Sequence, residues 1–272
     1  MRFQEYLIAE ALTLDKKAEI IKRECEPFLS QVDKNNFLFK HSSPEYVANF
    51  KKFAPIKTSE ERSAIINYKE MQDVVNAIDA GFKNVFNTKL HANCLWCNVN
   101  KDDVRKYRAN YRYVILPVGK FNTYICPLLD DKYILGDLDL YYYDNDDKIK
   151  LFDIYLYVLK RRNGTYPFNN EYQKGGGFEF ELGDGWFDRT PHFKLDVLDK
   201  YGIKQEPEDV LAKLKDKSVD LAAHFVKKYY KKVNIKEAFN RNSRNVYIDC
   251  DKFYIFKYRR NNKTFDVWDK LL

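Results

Sequence analysis

The chain is short of the residues that interrupt regular structure: its 272 residues include only 10 Gly and 8 Pro. That scarcity excludes collagen-like, linker-like and low-complexity chains, which depend on them. Also absent is an apolar run as long as a bilayer is thick, so neither a membrane span nor a membrane partner is expected. The opening stretch MRFQEYLIAEAL is broken by Gln4, Glu5 and Glu10, which argues against a secretory signal.

Several chemical signatures are missing as well. The four histidines, His41, His91, His192 and His224, never fall into an H-E-x-x-H or comparable spacing, so core or surface roles are expected for them. KGGGFE lacks the Lys-Ser/Thr ending of a phosphate loop, and no G-x-S-x-G elbow surrounds Ser42 or Ser43. The acidic run DDKYILGDLDLYYYDNDDK at 130–148 lacks the closing Glu of a calcium loop, and a solvated edge is the expectation there. No metal is expected.

What the chain has in quantity is aromatic and charged residues. Hydrophobic residues make up 45%, charged residues 32% and aromatics 16%, with 21 Tyr and 20 Phe. This is a globular composition able to bury a large core, rich in residues that favour stiff strands. The formal charge of +7 permits an anionic partner without requiring one.

Five cysteines (Cys25, Cys94, Cys97, Cys126, Cys250) are scattered and odd in number, as expected of thiols in a reducing cytoplasm. LHANCLWCNVN, at 90–100, holds a C-x-x-C. A structural zinc site needs a second pair, and none is present. A redox dithiol sits at a helix start, commonly with Gly or Pro between the thiols; here Leu95 and Trp96 lie between, in strand-forming company. Alternation on a strand puts Cys94 and Trp96 on one face and Leu95 and Cys97 on the other, so the thiols cannot chelate one ion. The motif reads as a strand with buried cysteines.

Helical spacing covers 3–12 and 15–32, with Pro27 kinking or ending the second helix. A strand is expected at 36–42. An amphipathic helix follows at 69–86, with Met71, Val74, Val75 and Ile78 inward and Gly81 loosening its last turn. Strands are expected at 93–99, 111–119 and 122–129, the last two joined tightly at Gly119-Lys120, and a short helix at KDDVRKY. Residues 149–161 fit a helix or a strand, the helix being preferred; helices return at 193–200 and 207–231, and NVYIDCDKFYIFKYRR reads as a closing hairpin. The glycine-bearing stretch of 162–186 reads as a long surface loop or a hairpin. The sum is an α+β protein.

The order NFLFKHS, ERSAIINYKEMQDVVNAI, KLHANCLWCNV, YRYVILPVGKFNTYICPLLDD and NSRNVYIDCDKFYIF resembles a group of tailed-bacteriophage proteins with an ADP-ribosyltransferase-like fold. The likeness covers roughly residues 36–258; its strongest piece is ILPVGKFNTYICPLLDD. It implies a split β-sheet core at 36–272, preceded by an N-terminal helical segment at 1–35, with a helical insertion before a C-terminal hairpin. In such transferases an Arg on the first core strand grips NAD, a Ser-containing strand shapes the nicotinamide pocket, and a late Glu steadies the ribosyl cation. The resemblance carries the Arg place onto Lys40, beside His41. The Ser strand becomes Ala92-Asn93-Cys94, just after His91, and the late Glu becomes Asn245. Lys40, His41, His91 and Cys94 are thus the candidate NAD-binding residues, and Asn245 stands at the catalytic position.

Each substitution weakens the chemistry. Lysine lacks the bidentate fork that suits phosphate, the second strand has no hydroxyl, and Asn245 has the shape of the acid without its charge. Losing one preorganised electrostatic group costs on the order of 3 kcal/mol of barrier. The expectation is a fold kept and NAD chemistry lost. The alternative is an active transferase, in which Glu179 and Glu181 of GGGFEFELGD supply an E-x-E pair, both carboxylates on one face of a strand.

Ile8-Ala9-Glu10 is similar to the cleavage signal of prohead proteases in contractile-tailed phages. It implies trimming after Glu10, and a place in the virion with delivery into the host cytoplasm. Basic and aromatic residues interleave in RKYRANYRY, VKKYYKKVNIK and FKYRRNNK. These allow a further alternative, a non-enzymatic binder of nucleic acid or of a host protein, with cations on phosphates and tyrosines stacked on bases.

Overall fold

The computed structural model describes residues 13–33, 36–41, 53–60, 72–99, 112–127, 145–162, 196–204, 206–243 and 245–258. They form two compact units. The first is drawn from Met1–Ile65, Leu90–Asp131 and Tyr230–Leu272; the second from Ile66–Lys89 and Lys132–Tyr229. The architecture is α+β, with helices and two antiparallel sheets. The expected helices at 3–12 and KDDVRKY, and Met71, fall outside the described residues.

In the first unit, helix α1 (Leu14–Glu24) begins where Thr13 Oγ1 accepts from Lys16 N, with Asp15 in its first turn and Lys22 and Arg23 in its last. The cap and the charges both suit the helix dipole. It ends at Cys25, and a short α2 (Glu26–Leu29) follows with Pro27 in its first turn, where a missing N–H costs nothing. The expected break at the proline therefore falls two residues earlier, because Pro27 has no N–H to donate to the carbonyl of Arg23 four residues back.

The first sheet has the order β1 (Leu38–His41), β4 (Arg112–Val118), β8 (Lys252–Tyr258), β2 (Ile56–Lys57). The second runs β3 (Cys94–Cys97), β7 (Val246–Asp249), β5 (Asn122–Ile125), β6 (Lys231–Val233). A short helix α4 (Leu90–Asn93) leads into β3, and α9 (Ile235–Asn240), capped by the Asn234 side chain, follows β6. One core joins the sheets: Leu38, Ile115 and Phe253 of the first, Leu95, Cys97, Ile125, Val246 and Ile248 of the second, and Ile21, Cys25 and Phe28 of the helices.

The expected closing hairpin is not one. β7 and β8 are consecutive in sequence but lie in different sheets, as do β4 and β5. β4 pairs with β8 up to Val118↔Lys252, and β5 pairs with β7 from Asn122↔Asp249. Two long strands thus run antiparallel and cross together from one sheet to the other. Three residues (Gly119 to Phe121) face two (Cys250 and Asp251) at the corner, which is a β-bulge, and bulges bend strands. Gly119 takes a positive φ of 68° there and donates its N–H to Glu24 O at 2.8 Å. Cys250 and Asp251 have no positive φ, so they cannot form the tight turn of a two-residue hairpin. Their carbonyls go instead to buried Thr58, through its hydroxyl (2.6 Å, to Cys250 O) and its N–H (2.9 Å, to Asp251 O).

The second unit is helical: α3 (Gln72–Phe86), α5 (Asp147–Arg162), α6 (Asp196–Lys200), α7 (Pro207–Lys215) and α8 (Ser218–Tyr229). Helix α8 packs on α3 and α5, and α5 also packs on α6 and α7. All of Leu151–Leu159 is buried, so α5 lacks the one-sided pattern of a surface helix. Val74, Val75 and Ile78 point inward as expected. Gly81 does not loosen α3: it is buried against Ala222, and the helix runs on until Asn87 ends it at φ 58°. The expected single helix at 207–231 is instead α7, a turn at Asp216-Lys217, α8, and then strand β6.

Candidate functional site

The two sheets of the first unit meet at a short backbone bridge. Phe39 of β1 donates to Asn98 O at 2.7 Å, and Asn98 donates to Phe39 O at 2.8 Å. On the other side of β3, Val99 N reaches Ser243 O at 3.3 Å. Early, middle and late segments of the chain therefore converge on the end of one strand.

Asn245 stands beside this junction. It is buried, and its Oδ1 accepts from the indole Nε1 of Trp96 at 2.9 Å. Trp96 pairs with Tyr247, Tyr247 with Tyr124, and Tyr124 with Lys232, so these four form one row across the second sheet. The Trp96 and Tyr247 rings lie nearly parallel, at 17° and 6.2 Å, and Tyr230 leans on Tyr247 at 5.9 Å. Strand alternation sets Cys94, Asn122 and Asp249 on the same face as this row. Burial first, and then neighbouring Asp249 and Cys94, push the Tyr124 hydroxyl well above the usual phenol range. The sheet is thus two-faced: Leu95, Cys97, Val246 and Ile248 fill the core, while the opposite face is aromatic and polar.

The candidates from the sequence are distributed as follows. Lys40 is buried on β1, next to the bridging Phe39. His41 is the last residue of that strand, and its side chain lies outside the described ones. His91 is half-buried on α4. Cys94 is buried at the start of β3, opposite Asp249 and four residues from the bridge, about 13 Å along an extended strand. The fold places Asn245 and Cys94 on one face of the second sheet and Lys40 on the neighbouring strand across the junction. Glu179, Glu181 and His192 lie outside the described residues.

The C-x-x-C is a strand, with Cys97 in the core and Cys94 on the other face. All five cysteines are buried thiols outside any disulfide. Burial pushes Cys250 up to about 12, against the lowering effect of the Thr58 hydrogen bond, so it is protonated and unreactive. Among the described residues, no group of three or more His, Cys, Asp and Glu is gathered as a metal would require.

Sequence reasoning missed Trp96 as the partner of Asn245. The only signal was that Trp96 falls on the strand face opposite Leu95 and Cys97. It also missed a polar cluster in the second unit. There Asp146 Oδ1 accepts from the N–H groups of Lys148 (3.0 Å) and Ile149 (3.4 Å), and Oδ2 accepts from His224 Nε2 (2.7 Å) and Lys228 Nζ (3.4 Å). Burial acts to raise the Asp146 carboxyl. The hydrogen bonds from His224 and the two backbone groups, with the His224 charge, outweigh it and bring the value down to about 2. His224 is therefore a helix-fastening side chain.

Compared with known protein families, characterised proteins and solved structures, the chain matches none of them. Among the described residues no helix is long and apolar enough to cross a membrane.

Proposed function

We propose that this chain is an ADP-ribosyltransferase-like protein of a tailed bacteriophage, carried in the head and delivered to the host cytoplasm, which keeps the architecture and has lost the NAD chemistry. It acts by binding. The supporting observation is the state of Asn245. Cleaving the nicotinamide–ribose bond builds positive charge on the ribose, and a fixed carboxylate lowers that barrier. Asn245 carries no charge, and its oxygen is already engaged by the Trp96 indole. Antiparallel sheets built from non-consecutive strands, meeting where β1 touches the end of β3, agree with a split-sheet core.

The test is incubation with labelled NAD and host lysate, beside a calorimetric titration with NAD. The expected result is no label on any macromolecule. Label that is transferred, and is lost in Glu181→Gln, would overturn the reading and make the chain an active transferase. The mass of the N-terminus in purified virions tests the origin: a chain beginning at Ala11 is expected.

A further inference from the structure

We draw no further inference here: the strongest candidate, the outer face of the second sheet at half-buried Trp96 and the neighbouring Asn98, whose buried Oδ1 has no hydrogen-bond partner among the described residues, adjoins the site already described, and nothing in the structure shows what covers it.

Discussion

Gly81 and Ala222 lie closer than any side chain on the former would allow. A Cβ built on Gly81 would be 2.6 Å from the carbonyl carbon of Ala222 and 2.8 Å from its Cβ. The backbones of α3 and α8 approach each other through that missing methyl group.

Gly81→Ala is therefore expected to destabilise the helical unit. Alanine gains about 1 kcal/mol of helix propensity over glycine, but forcing two packed helices apart costs about 1–3 kcal/mol. Urea denaturation followed by circular dichroism should show a lower midpoint for Gly81→Ala. A higher midpoint would mean that the helices part without cost. Gly202 provides the contrast. Its φ is 63° and nothing lies within 4 Å of an added Cβ, so Gly202→Ala costs only the backbone strain of about 1–2 kcal/mol.

Asp146 makes the second unit sensitive to acid. Its folded value is about 2, below the ordinary value of 3.8. A group depressed in the folded state contributes stability above its unfolded value, and loses it as pH falls through the folded one. The contribution, on the order of 1 kcal/mol for a carboxylate so open to solvent, should be intact above pH ~5 and fade between pH ~4 and 2. Asp146→Asn should flatten the melting temperature across that window and lower it near neutral pH. An unchanged acid profile in the variant would refute the assignment.

Thr58→Val tests the corner where the chain crosses between sheets. The buried hydroxyl donates to Cys250 O at 2.6 Å, and valine of similar shape leaves that carbonyl without this donor. A loss of about 1–3 kcal/mol is expected. Opening of the corner is also expected to expose Cys250 and speed its reaction with a thiol reagent, outweighing the loss of the Thr58 hydrogen bond that lowers its pKa. Mass spectrometry of labelled peptides reads this directly. Equal labelling rates in both proteins would show that Thr58 does not hold the corner closed.

Local pattern made several elements legible. The alternation of Cys94, Leu95, Trp96 and Cys97 gave the strand and its faces, and the spacing of Val74, Val75 and Ile78 gave the helix and its inward side. The α+β class followed from the order of such segments. The site was less legible. Asn245 was found through a resemblance, while Trp96, which bonds it, lies 149 residues away in sequence, and no local pattern encodes that distance.

The same division explains the one large topological surprise. Aromatic alternation on both sides of Cys250-Asp251 told where strands would form, because the period of two is a property of each segment alone. Which strand pairs with which was decided by distant groups: Thr58 holding the carbonyls of the corner, Glu24 holding Gly119, and a core that needed both sheets to close over it. Secondary structure and the buried face of each segment were thus determined by the sequence locally, whereas the crossing between sheets, the bridge of Phe39 to Asn98 and the bond of Trp96 to Asn245 exist only because long-range hydrogen bonds and shared burial select one pairing from several that are locally equivalent.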